Sequence, residues 1–307
     1  MTTYRAFGLS ISSDIPLPEL PVVAEPCAGD VRISRGAIDL PSADPGYSDA
    51  PGGSLLTIPG LGRFLIRGGG EIVVDTAADA SDRRMRLFLL GSAFGALLHQ
   101  RGLMPLHANA IVIDGRAFAF SGHSGAGKST MAAWFHDRGH PILADDVCVI
   151  GFDDSGRTIA YPGIPRVRLW REALEASGRA VEHYERSFEE LDKYDVPIAA
   201  GSGTDPVPLA AVYLLEKAQE GAAGGTIERL TGVAAVDALV SNTYRGGYLR
   251  MTGGAGPHLA VCARIATKVP VFRARRVWGF EAFGAEAAAI EAQARSLIGD
   301  EGAQGAR

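Results

Sequence analysis

The segment Gly122-His123-Ser124-Gly125-Ala126-Gly127-Lys128-Ser129 restricts the fold of this chain more than any other. It completes the pattern G-x-x-x-x-G-K-[ST], with an apolar strand-like run over residues 116–120 before it and a helix-forming run over 129–138 after it. Strand, glycine-rich loop and helix in that order make an α/β unit. Gly122, Gly125 and Gly127 let the backbone curl until several N–H groups converge on one anion, and the helix N-terminus adds its positive end. The stretch Gly122, His123, Ser124, Gly125, Ala126, Gly127, Lys128, Ser129 and Thr130 is read as a phosphate cradle, the His123 side chain being incidental. Lys128 would lie along the β and γ phosphates, and the Ser129 hydroxyl would be a magnesium ligand. No guanine-reading N-K-x-D sequence is present, so ATP with Mg²⁺ is the expected pair of cofactors.

Asp145-Asp146 ends the apolar run over 141–144, where an open α/β sheet places its ligand-facing residues. Two adjacent carboxylates permit a division of labour, one towards metal and one towards an acceptor hydroxyl as base. Like charges so close raise one pKa, which suits a base. In an extended strand their side chains point to opposite sides, so a turn must begin here if both serve one site. His107 precedes a strand over 109–113 that Asp114-Gly115 joins to 116–120 as a hairpin. By itself, a histidine beside apolar residues reads as a structural, hydrogen-bonded group. Arg166, Arg168 and Lys193 are candidates for gripping a phosphate or an acidic acceptor.

The rest of the chain frames this centre. Pro16, Pro18, Pro21, Pro41, Pro45, Pro51 and Pro59, with a hairpin over 63–67 and 71–75, mark residues 1–80 as a small β-rich subdomain. Apolar residues at three- and four-residue spacing predict a helix over 82–101, with Gly102 as its cap. The charged stretch 169–193 reads as mostly helical. A buried strand is expected over 207–215, helices over 233–242 and 281–298, and a strand over 269–273. Residues 81–299 then form the P-loop domain and 300–307 a frayed tail.

A net charge of −5 argues against a protein built around nucleic-acid phosphates. Cys27, Cys148 and Cys262 have no CxxC spacing and read as small hydrophobes in a reducing compartment. The first residues lack a basic region followed by an apolar run, and no stretch approaches the roughly 18 apolar residues that span a membrane. A cytoplasmic protein with no nucleic-acid or membrane partner is expected.

The string LHANAIVIDGRAFAFSGHSGAGKST followed by ILADDV resembles the catalytic domain of bacterial HPr kinase/phosphorylase, where a histidine, a hairpin, the P-loop and a paired aspartate occur in this order. The similarity is greatest to the shorter HPr-kinase-like proteins, some encoded with lasso-peptide tailoring pathways, whose pattern PG-I-P-R-x-R-L-W is matched from Pro162 to Trp170. The resemblance implies the P-loop arrangement shared with phosphoenolpyruvate carboxykinase, a mixed sheet flanked by helices. It also implies catalytic roles for His107, Lys128 and Asp145, with Ser129 and Asp146 near metal. The chain departs from the family in its N-terminal segment and in two further places. Ile159-Ala160-Tyr161-Pro162-Gly163 stands where the family has a magnesium-holding glutamate, and the family's arginine-rich loop is missing. The implied activity is transfer of the γ-phosphoryl group of ATP to a serine-type hydroxyl of a peptide or small protein, a lasso-peptide precursor being the most specific acceptor. A small-molecule hydroxyl kinase and a nucleotide-binding regulatory module without transfer are the alternatives. Related kinases form homo-oligomers, although no residue pattern here marks a subunit contact.

Overall fold

The computed structural model describes the backbone of all residues except 24–28, 42–43, 78, 177–179, 189–190, 198–204, 278, 280 and 306–307. The side chains of 172–173, 176, 187–188, 191, 197 and 300–305 also lie outside the description, and Cys27 falls among the undescribed residues. The chain divides into two units: Met1–Pro105 with Thr243–Cys262, and Leu106–Asn242 with Ala263–Arg307. Among the described residues, no helix is long and apolar enough to cross a membrane.

In the first unit a seven-stranded sheet runs in the order Thr2–Ala6, Leu9–Ser13, Val31–Arg35, Glu71–Thr76, Gly62–Arg67, Gly53–Ile58, Gly46–Ala50. Val31–Arg35 lies parallel to both of its neighbours and the other pairs are antiparallel. The predicted hairpin turns at Gly68 and Gly69, both with positive φ. The helix expected over 82–101 forms as Asp82–Phe88, a π-helical stretch Leu89–Ala93, and Phe94–Gln100, with Ser81 Oγ accepting from the Arg84 amide at its start. Its apolar side packs on the strand Gly62–Arg67, and Phe94 meets Phe7 with ring centroids 5.6 Å apart. The division of the chain therefore falls after this helix rather than at residue 80. A later segment also returns to the first unit: Tyr244 donates its amide to Pro105 O, and the Gln100 amide donates to the Tyr248 hydroxyl at 3.0 Å.

The second unit is built on a mixed sheet. Its strands run Ile142–Ala144, Ala108–Ile113, Arg116–Ser121, then Val207–Lys217. Asp114 and Gly115, both at positive φ, close the hairpin between the second and third of these, as the two-residue turn requires. Arg116–Ser121 lies parallel to Val207–Lys217, whose far edge is shared. Val207 and Pro208 pair antiparallel with Ala160 and Ile159, while its second half runs parallel with Val271–Arg276. Helices Lys128–His136 and Phe283–Gly305 flank it. Phe135, Phe120, Tyr213 and Phe272 stack in sequence, with centroids 5.5, 5.7 and 5.2 Å apart. Each such ring pair adds on the order of 0.5–1.5 kcal/mol to the burial itself, so the strands beneath the glycine-rich loop are held at a fixed spacing.

Two segments differ from the reading of the sequence. Residues 169–193 are not mostly helical. Arg166–Trp170, Leu191–Pro197 and Glu185–Phe188 form a three-stranded antiparallel sheet, with the short helices Arg171–Ala176 and Val181–His183 the helical part among the described residues. Tyr194 and Val196 are buried alternately, and the intervening charges pair across strands rather than along a helix face. The last helix runs on through Gly305, into the expected tail. Two strands for which the sequence suggested no element complete the sheet: Thr158–Tyr161 pairs with Cys148–Phe152 and Val207–Lys217, and Thr226–Leu230 with Val271–Arg276.

Candidate active site

Strand Arg116–Ser121 is buried along nearly its whole length and delivers the chain into the glycine-rich loop. Gly122, Gly125 and Gly127 all have positive φ, and a Cβ at Gly122 would sit 2.5 Å from the Leu215 carbonyl oxygen of the adjacent strand. Only glycine fits that approach. The helix starts at Lys128, with Ser129 and Thr130 half-buried in its first turn and His123, Ser124 and Gly125 exposed. Lys128 is 8% exposed, and its Nζ donates to Gly122 O at 2.7 Å and His123 O at 3.1 Å. Burial lowers its pKa, and Asp146 opposes that shift.

Asp145 and Asp146 sit in a tight turn, and the carboxylates of both meet Arg168. The Val147 amide donates to Asp145 O at 2.8 Å, closing a three-residue turn around Asp146, whose φ is +68°. A left-handed aspartate in so tight a turn is a strained arrangement of the kind that gathers at functional sites. Both oxygens of Asp145 are engaged: Oδ1 accepts from Asn109 Nδ2 at 2.6 Å, and Oδ2 accepts from the Arg168 amide at 2.8 Å. Burial, reinforced by the charge of Asp146, pushes the Asp145 carboxyl up to about 7. The residue as a whole nonetheless keeps partial exposure. At Asp146 burial works against ionisation, but the Arg168 guanidinium first, then His107, Lys193 and Lys128, hold the carboxyl below the usual range. The two neighbours are thereby split into one proton acceptor poised near neutrality and one persistent anion.

His107 Nδ1 donates to the Asp146 carbonyl at 3.0 Å and stands 3.6 Å from its Oδ1. Burial, with smaller contributions from Lys128 and Lys193, outweighs Asp146 and lowers the histidine pKa. Arg168 bridges the group: Nη1 reaches Asp146 Oδ2 at 3.1 Å and Nε reaches Asp195 Oδ1 at 3.4 Å. Arg166 lies 3.8 Å from Asp195, one step further out. Lys193 faces Trp170 across the small sheet, its Nζ 5.4 Å from the ring centre, and its charge acts on both aspartates. The structure thus gathers His107, Lys128, Asp145, Asp146, Arg168 and Lys193, and leaves Arg166 at the margin.

Three residues that sequence reading did not single out belong to the same neighbourhood: Asn109, Asp195 and Arg276. Arg276 donates from Nη2 to Ala126 O, inside the loop, at 2.7 Å. The small sheet brings Asp195 to Arg168, and the hairpin brings Asn109 to Asp145. No local pattern could have found these pairs.

Among the described residues, no group of three or more His, Cys, Asp or Glu is gathered to hold a metal ion. A magnesium ion needs no such cage, since it takes one or two protein oxygens and completes its shell from phosphates and water. The persistent Asp146 carboxylate and the Ser129 hydroxyl are hard oxygen donors of the right kind.

No family model and no curated protein matches the chain. Among solved structures, the Hpr(Ser) kinase/phosphatase from Coxiella burnetii aligns over 66% of this chain and 99% of its own length, at 14% sequence identity and a TM-score of 0.33. A likeness at that score carries no argument about activity.

Proposed function

We propose that the second unit is an ATP-dependent kinase that phosphorylates a serine-type hydroxyl of a peptide or small protein. The observation that carries this reading is Asp145: doubly hydrogen-bonded, raised to about 7, and in the electrostatic neighbourhood of the loop lysine. A base of that pKa is half ionised near neutral pH, where general-base catalysis is most efficient.

The chain's own residues account for the step. The loop amides and Lys128 bind the phosphate oxygens, with Lys128 exchanging its contacts on Gly122 O and His123 O for the β and γ oxygens. The acceptor hydroxyl gives its proton to Asp145. Its oxygen bonds to the γ-phosphorus as the bond to the bridging oxygen breaks, and that electron pair leaves with ADP. Ser129 and Asp146 would hold Mg²⁺, which when bound neutralises phosphate charge. His107 fixes the Asp146 turn through its carbonyl, and Arg168 keeps Asp146 ionised.

Incubation with γ-labelled ATP and serine peptides, including a lasso-peptide precursor, tests the reading. Label on serine with the native protein, and none with Asp145→Asn or Lys128→Ala, is the expected result. Equal transfer by Asp145→Asn would remove Asp145 as the base, and ATP binding without transfer to any acceptor would favour a regulatory module.

A further inference from the structure

Arg276 ends the strand Val271–Arg276, which runs parallel to Val207–Lys217 and, through it, to the loop-bearing strand. Open α/β sheets collect ligands at this carboxyl end. The residue is only 6% exposed. Its Nη2 holds Ala126 O, and a Cβ at Gly127 would come within 2.5 Å of that nitrogen. The guanidinium therefore lies directly against the turn that precedes Lys128.

What surrounds the rest of this cation is unusual. Its Nε is buried with no hydrogen-bond partner among the described residues. Glu286 attracts it, yet no ion pair closes among the described residues: Glu286 Oε1 is committed to the Val277 amide at 2.7 Å, and Oε2 is itself buried and unpartnered. Phe283 covers one face, 5.2 Å from the guanidinium carbon. A buried charge with a spare donor and no closed ion pair is unfavourable until an anion arrives.

We propose that Arg276 is a second cation of the phosphate site, a positioning residue that holds the Ala126–Gly127 turn in its ligand-bound shape and whose charge is compensated when a nucleotide polyphosphate fills the loop. This inference rests on the nucleotide-binding reading of residues 122–129. It makes Arg276 a liability to the empty protein and an asset to the loaded one, so stability and affinity respond to its removal with opposite signs.

Isothermal titration with MgADP, together with thermal melts without ligand, decides the matter on the full chain. Arg276→Met, close in length and uncharged, is expected to weaken MgADP binding roughly 30-fold while the ligand-free melting temperature stays level or rises. Arg276→Lys restores the charge without the fork and is expected to bind with intermediate affinity. MgADP affinity within twofold of the native protein for Arg276→Met overturns the proposal. So does a methionine variant that melts lower without ligand or does not fold, because the arginine is then structural. If the native protein does not bind MgADP and behaves like Lys128→Ala, the nucleotide reading fails first and the role of Arg276 falls with it.

Discussion

Asn109 Nδ2 donates to Asp145 Oδ1 at 2.6 Å, linking the first strand of the hairpin to a carboxylate 36 residues later. The bond favours the ionised carboxylate, and it is one of two that aim the group. Asn109→Ala removes it without touching the loop. The variant is expected to lower kcat by about 10- to 100-fold and to move the ascending limb of the pH–rate profile to higher pH, with little change in KM for ATP. A limb unchanged in position would mean that Asn109 is only packing.

Asp145 also leaves a mark on stability. Its folded-state pKa lies near 7, above the ordinary carboxylate value. As pH rises from 4 to 7, the unfolded chain loses this proton while the folded protein keeps it, so the native state loses stability through that window. Asp145→Asn cannot titrate. Melting temperatures of the variant and the native protein should diverge steadily as pH rises, the variant gaining. A constant difference between pH 5 and pH 8 would contradict the raised pKa.

Gly122 offers a steric test. Its φ is +141°, and an added methyl would meet the Leu215 carbonyl oxygen, a backbone atom locked between paired strands. Gly122→Ala is expected to cost about 2–4 kcal/mol in urea unfolding and to abolish nucleotide binding. Gly139→Ala is the companion: φ is +87°, but nothing lies within 4 Å, so strain alone acts there and binding should survive.

The first unit carries its own pH dependence. His99 is 9% exposed, with Nε2 against Tyr244 O at 2.9 Å and Nδ1 buried without a partner among the described residues. Burial lowers its pKa to about 4, with His258 adding to the effect. Between pH 6.5 and 4 the unfolded chain takes up a proton that the folded histidine refuses, so stability falls as pH falls, by up to about 3 kcal/mol. His99→Gln should flatten that slope in denaturant titrations at pH 7 and pH 4.5.

The sequence made some of this readable and hid the rest for physical reasons. The glycine-rich loop, the Asp114-Gly115 hairpin and the Asp145-Asp146 pair are local: their conformations follow from residues that touch in sequence. Asn109, Asp195 and Arg276 gain their meaning only through pairings 36, 27 and 150 residues away. The stretch 169–193 was misleading because Arg171, Arg186 and Asp192 bond across strands around the Tyr194 hydroxyl, while their density in sequence suggests a solvated helix. The helix 82–101 was legible as a helix, but its unit was not, since that depends on which sheet its apolar side meets.

The contact between Arg276 and Ala126 also bears on how the protein is made. The loop emerges from the ribosome 148 residues before the arginine that grips it, counting from Lys128 to Arg276. At ordinary synthesis rates that gap lasts on the order of ten to thirty seconds. Val207–Lys217 can dock beside the loop strand during that time, but Val271–Arg276 cannot. The nascent chain therefore passes through a stage with its glycine-rich loop drawn but not yet braced, and the loop is gripped only when the last strand of the sheet arrives.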